Sequence, residues 1–150
     1  MSTTGDLVDG IAGIIFAAGL ATFNPNGVYQ SNQTGIFEKI MPAAPDRVIT
    51  LTAVYQGDDV TMPLGQVMVQ VRGRGVPNKP RDVDDLLDPI FNILHGATYL
   101  TFGSVTVIQM NRRVSTPMGM DDSKRWERVD QYYLDVDFPA TTNRPAQGSW

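Results

Sequence analysis

The residues best suited to chemistry are four aspartates between positions 82 and 88, namely Asp82, Asp84, Asp85 and Asp88. Asp84 and Asp88 are four positions apart and would share one face of a helix, where their carboxylates could bind a divalent cation. The same acids are expected at a helix N-terminus, because they cap it and complement its dipole. A small metal-dependent enzyme using the 82–88 carboxylates is therefore the less favoured interpretation.

The other reactive residues form no catalytic set. His95, the only histidine, falls in the last turn of the predicted helix, where a partial positive charge is favourable. The RGRG run at 72–75 lacks the spacing and the following helix of a phosphate-binding loop. Arg72 and Arg74 share one strand face and are expected to meet an acidic neighbour, with phosphate as the less favoured alternative. The sequence predicts no enzymatic activity, no metal and no cofactor.

The amino-acid composition excludes several further classes of protein. The 150 residues include 42% hydrophobic and 19% charged side chains, which is a globular composition. Twelve basic against 16 acidic residues give a net charge of −4, which argues against a protein that binds nucleic acid through its phosphates. The absence of cysteine excludes thiol catalysis, disulfide scaffolds and cysteine-based zinc sites.

The most apolar stretch, 11–23, is too short to span a bilayer, and the segment before it carries Asp6 and Asp9 but no basic residue. Its helical spacing predicts an amphipathic helix, capped by Thr4, that packs on the domain. We therefore expect neither an export signal nor a membrane anchor here.

The remaining elements follow from alternation and turn residues. A second helix is predicted over 82–96, capped by Asp82, with Pro89 causing a kink or a new start at Asp88. Strands are predicted at 36–40, 47–55, 65–74, 99–102, 105–114 and 125–138, with a bulge in the fifth. This order predicts an α+β fold: one mostly antiparallel (mixed) β-sheet with two α-helices packed on one face.

The whole chain, 1–150, is expected to form a single domain, since it is the length of one ordinary domain. It carries a long polar loop at 24–35 and an extended C-terminal tail at 139–150.

Four segments in this order resemble the tail terminator proteins of long-tailed bacteriophages, often labelled minor capsid or minor tail proteins in actinobacterial phages. They are RVITLTAVY at 47–55, GQVMVQVRGRG at 65–75, DVDDLLDPIFNILHG at 82–96 and RWERVDQYYLDVDFP at 125–139. The resemblance covers roughly 35–140. Pro89 departs from the family pattern, and the 24–35 loop and the end of the tail have no counterpart in it.

The resemblance implies a structural virion protein with no catalytic site. Such proteins form a hexameric ring on the head-proximal end of the tail tube, stop its polymerisation and join it to the head-completion proteins. DNA passes through the lumen without specific binding. The implied location is the tail–neck junction of the virion, after assembly in the host cytoplasm, with no membrane involved. Another head–tail connector, such as a head-closure or tail-completion ring, is the alternative.

A ring needs exposed contact residues, and apolar side chains in loops and termini are the candidates. They are Tyr29, Phe37, Met62, Leu64, Met118, Met120 and Trp150. The segments 24–35, 57–64, 116–124 and the tail are expected to contact neighbouring copies and the tube. An acidic lumen would repel phosphates, and the candidates to line it are Asp58, Asp59, Asp135 and Asp137.

Overall fold

A computed structural model of the chain describes residues 2–144 and contains the predicted order of helices and strands. The elements are α1 (Thr3–Ala17), β1 (Gly35–Glu38), β2 (Val48–Asp58), β3 (Leu64–Pro77), α2 (Asp82–Leu94), β4 (Thr98–Phe102), β5 (Val105–Met120) and β6 (Arg125–Asp137).

The strands form one six-stranded sheet in the order β1-β2-β3-β6-β5-β4. β1 runs parallel to β2, and every other neighbouring pair is antiparallel. The bulge predicted in the fifth strand is confirmed by a register shift between Val107 and Gln109. The predicted α+β fold with a mixed sheet is therefore confirmed.

Both helices pack on the same face of the sheet. Leu7, Ile11 and Ile15 of α1 join the α2 stripe around Leu87 and Ile90 in one buried core. The sheet contributes its inward side chains, which are Ile49, Leu51, Val67, Val69, Val71, Val105, Val107, Met110, Tyr132, Leu134 and Val136. We call the opposite side of the sheet, where no helix packs, the helix-free face. No helix within 2–144 is long and apolar enough to cross a membrane.

The helix termini differ from the prediction. Ser2, not Thr4, caps α1 by accepting a hydrogen bond from the Gly5 N–H at 2.9 Å. Thr4 instead lies 2.7 Å from the Tyr55 hydroxyl and links α1 to β2. Arg81 holds the N-cap position of α2 without a side-chain cap, so Asp82 is the first helical residue.

α2 continues through Pro89 as one helix, so the expected second start at Asp88 is wrong. A proline inside a helix removes one backbone hydrogen bond. Buried residues on both sides of it, Leu86, Leu87 and Ile90, keep the helix on the sheet and offset that loss.

The predicted loop at 116–124 is also wrong in its first half, because β5 continues to Met120. This part of β5 pairs with β6, from Thr116 opposite Val129 to Met120 opposite Trp126. The backbone hydrogen bonds of that pairing outweigh the local preference of Pro117 and Gly119 for a turn. Pro117 is tolerated because β4 pairs β5 only as far as Gln109, which leaves this stretch at an edge. The loop between β2 and β3 likewise shortens to 59–63.

Candidate functional site

Three acids of α2, Asp82, Asp84 and Asp88, accept hydrogen bonds from arginine side chains or from a backbone N–H group. Asp82 accepts hydrogen bonds from Arg47 Nε at 2.9 Å and from the Val76 N–H at 2.8 Å. Asp84 and Asp88 each lie 2.9 Å from Arg128 Nη1. Within residues 2–144, no group of three or more histidine, aspartate or glutamate side chains is arranged to hold a metal ion. Asp82, Asp84 and Asp88 are thus accounted for by structural ion pairs.

Arg128 is the centre of a buried cluster between α2 and β6. Its guanidinium donates to Asp130 Oδ1 at 2.9 Å and to Oδ2 at 2.8 Å, and Asp130 is 0% exposed. Ser115 Oγ also donates a hydrogen bond to Asp130 Oδ1 at 2.6 Å. The hydrogen bonds that Arg128 donates, first of all to Asp130 and then to Asp84 and Asp88, outweigh its burial and raise the pKa of Arg128 above its usual value. The cluster fixes α2 against the sheet.

His95 is placed just beyond α2 rather than in its last turn. Its Nδ1 accepts a hydrogen bond from the Arg112 N–H at 3.0 Å. The ring lies 4.6 Å from that of Phe91, and the Arg112 guanidinium is 4.0 Å from the Phe91 ring centre. The histidine therefore joins the end of α2 to β5, which is a structural role.

Two other buried arginines, Arg74 and Arg125, lie at one end of the helix-free face. Arg74 donates to the carbonyls of Asp46 and Pro45 at 2.8 and 2.7 Å, and burial lowers the pKa of its guanidinium. Arg125 donates to the Ala43 carbonyl at 2.7 Å. The expectation of an acidic partner is confirmed for Arg72, which pairs with Glu127 at 2.6 Å, but is wrong for Arg74. Both buried arginines hold the 43–46 segment over the sheet.

Residues 117–124 comprise the end of β5 and the turn that joins it to β6, and we call this segment the tip. Met118 and Met120 are 52% and 55% exposed there. Asp121 fixes the turn, because its Oδ1 accepts from the Ser123 and Arg125 N–H groups at 3.0 and 2.9 Å. Burial alone would raise the pKa of Asp121, but the hydrogen bonds from Arg125 outweigh it and leave that pKa below its usual value.

At the β1 edge of the sheet, the ring centres of Tyr29 and Phe37 lie 4.8 Å apart. The Tyr29 hydroxyl donates to the Ile36 carbonyl and accepts from the Asn24 N–H, both at 2.8 Å. The rings border a cavity of about 310 Å³, the aromatic pocket. Its lining residues are Val8, Asp9, Phe23, Asn24, Pro25, Gly27, Tyr29, Ile36, Phe37, Glu38 and Ile40.

Sequence reasoning identified Tyr29 and Phe37 but missed Phe23 and Ile40, although Ile40 is 60% exposed. The available signal was their position beside turn residues at either end of a polar stretch. These residues form one site only because β1 runs parallel to β2 and the preceding loop folds back, with Thr22 bridging to Gly35.

Two of the other candidate contact residues, Met62 and Leu64, do not join either surface. Met62 lies in the 59–63 loop, and Leu64 is the first residue of β3, paired with Asp137. Trp150 lies outside the described residues.

The four acids assigned to a lumen lie near one end of the sheet but in two settings. Asp135 and Asp137 alternate with buried Leu134 and Val136 and therefore lie on the helix-free face. Asp58 lies 3.9 Å from Arg144. Asp59 accepts hydrogen bonds from the Thr61 side chain and backbone, and these lower the pKa of its carboxyl. Asp135 and Asp137 form the coherent acidic pair.

Comparison with known proteins gives one family. A family model described as bacteriophage tail terminator protein matches residues 15–138, which include the tip, the Arg128 cluster and all of the aromatic pocket except Val8 and Asp9. No curated protein matches the chain.

Proposed function

Since the chain belongs to the bacteriophage tail terminator family and is a structural protein of the phage tail, we propose that it forms a hexameric ring. The ring sits on the head-proximal end of the finished tail tube and stops further addition of tail tube protein. In this proposal all of 1–150 acts as one domain, with the 24–35 loop and the 139–150 tail contributing contacts.

One observation supports the ring above all others: the molecule has two exposed apolar surfaces on different sides of one sheet. The aromatic pocket lies at the β1 edge, and the tip includes the end of β5, with β2, β3 and β6 between that strand and β1. Two different surfaces in separate parts of the molecule suit a head-to-tail contact, and such contacts repeated around an axis close into a ring. A protein that acts alone gains little from leaving both surfaces exposed.

The remaining surfaces fit a neck component. One end of the ring would meet the tail tube and the other the head-completion proteins, which places the protein at the tail–neck junction of the virion. Asp135 and Asp137 on the helix-free face would line the channel. Their negative charge repels DNA phosphates, so that DNA passes without sticking.

The proposal is tested by native mass measurement of the purified protein, alone and mixed with preformed tail tubes, together with electron microscopy. We expect a species of six chains and a ring at one end of each tube. A protein that stays monomeric and leaves tube ends bare would overturn the proposal. Binding to tail-free heads instead of tubes would identify a head-closure ring.

A further inference from the structure

We propose that the contact between neighbouring copies is formed by the tip of one copy, with Met118 and Met120, seated in the aromatic pocket of the next. This inference rests on the proposed ring and specifies how it closes. Its occupant is a second copy of this chain.

The tip combines exposed apolar side chains with a fixed backbone, which suits insertion into a pocket. Its two methionines are more than half exposed, and methionine is flexible and makes favourable contacts with aromatic rings. The turn beneath them is rigid, since Arg125 Nε also binds Asp121 Oδ2 at 2.9 Å. Arg125 is anchored in turn to the Ala43 carbonyl. A prearranged loop loses little entropy when it binds, which favours association.

The pocket offers the matching chemistry. Its walls include the rings of Phe23, Tyr29 and Phe37, and exposed Ile40 extends the apolar surface at its mouth. Its volume of about 310 Å³ lies in the range of pockets that accept a side chain or a small ligand.

Charge at the two surfaces is complementary. The pocket lining carries two acids, Asp9 and Glu38, both exposed. Within the tip, Asp121 is paired with Arg125, while Asp122 and Lys124 are both exposed. The Asn78 N–H donates to the Lys124 carbonyl at 2.9 Å, which joins the tip to a segment with exposed Lys79 and Arg81 and gives this region more exposed basic than acidic side chains. Glu38 also lies 3.8 Å from Lys39, but such exposed pairs contribute little and leave its carboxylate available. Complementary charge sets the orientation of the contact more than its strength.

The test uses crosslinking, because the chain has no cysteine and every thiol is therefore an engineered one. The double variant Met118→Cys/Ile40→Cys is treated with oxidant or a short bis-maleimide, alone and bound to tail tubes. We expect most of the chain to move into a ladder of covalent oligomers that ends at the ring. The single variants Met118→Cys and Ile40→Cys, mixed together, should give dimers only.

The matched control pairs Ile40→Cys with Tyr99→Cys on β4, where Tyr99 is 76% exposed but far from the tip in the pairing of the sheet. This pair should give no ladder. Rings that are present by mass and microscopy but do not crosslink in the Met118/Ile40 variant would overturn this contact and leave the ring intact. Crosslinks from either position to tail tube protein would assign the surface to the tube instead. Absence of any ring would overturn the proposed function itself.

Discussion

Arg128 and Asp130 lie two positions apart on β6 and form a two-point ion pair, with N–O distances of 2.9 and 2.8 Å. Residues at that spacing share one face of a strand, so the pair lies on the side where α2 packs. The same guanidinium reaches Asp84 and Asp88 on α2. This arginine gives Asp84 and Asp88 a structural role in holding α2 to β6.

Replacement of Arg128 by leucine should destabilise the protein by about 3 kcal/mol, because it leaves the buried Asp130 without its main partner. Urea unfolding measures the loss. Arg113→Ala is the control: the Arg113 guanidinium lies 4.4 Å from the Tyr133 ring centre on an exposed side chain, and its loss should cost less than about 1 kcal/mol. Equal effects of the two substitutions would contradict the role given to Arg128.

Two glycines of α1 should respond to alanine in opposite directions. A Cβ at Gly10 would lie 2.2 Å from the Phe102 ring, whereas a Cβ at Gly13 meets nothing within 4 Å. Gly13→Ala should stabilise the protein by up to about 1 kcal/mol through helix propensity. Gly10→Ala should destabilise it, since the helix or the ring must move. Thermal unfolding of both variants checks this, and a more stable Gly10→Ala protein would show that α1 does not pack closely on β4.

The Tyr132 hydroxyl is buried and has no hydrogen-bond partner within the part of the chain that is described. Burial also raises the pKa of this phenol well above its usual value. Tyr132→Phe should therefore be neutral or stabilising by up to about 1 kcal/mol in urea unfolding, since it removes an unsatisfied polar group and keeps the ring. Tyr132→Ala should lose about 3–5 kcal/mol by creating a cavity. A clear loss in Tyr132→Phe would mean that a bound water satisfies the hydroxyl.

Acid should destabilise the folded protein because it protonates the Asp121 carboxylate of the tip. The pKa of Asp121 is lowered in the folded state, so its ionised form contributes stability above the unfolded pKa of about 3.9. That contribution is lost as the pH falls through the lower folded value. Asp121→Asn should be less stable than the parent at pH 7, and its stability should decline less steeply below about pH 4. Parallel pH profiles of the free energy of unfolding would contradict this.

Much of the fold was predictable because its signals are local. The alternation of Val67, Val69 and Val71 identified an inward strand face, and all three are buried in the core. The order of strands was not predictable, because placing β6 between β3 and β5 depends on pairing between distant segments. The same non-local pairing extends β5 through Pro117 and Gly119, which locally favour a turn.

The proposed contact surfaces were predictable only in part. Met118, Met120, Tyr29 and Phe37 were found because large apolar residues among turn formers are unusual in a solvated loop. That the two aromatic residues form a pocket with Phe23 depends on how the chain before β1 folds back, and no local pattern encodes that. The arginine clusters were missed because each joins segments far apart in sequence, such as Arg125 with Ala43.

The most direct test of the account is the length of tail tubes polymerised from purified tail tube protein, measured by electron microscopy with and without this protein. The account predicts that adding it arrests elongation, leaving short tubes with a ring at one end. Asp121→Asn, which loosens the tip, should arrest elongation less effectively. Tubes that grow to the same uncontrolled length in the presence of excess protein would contradict the proposal that it terminates the tail.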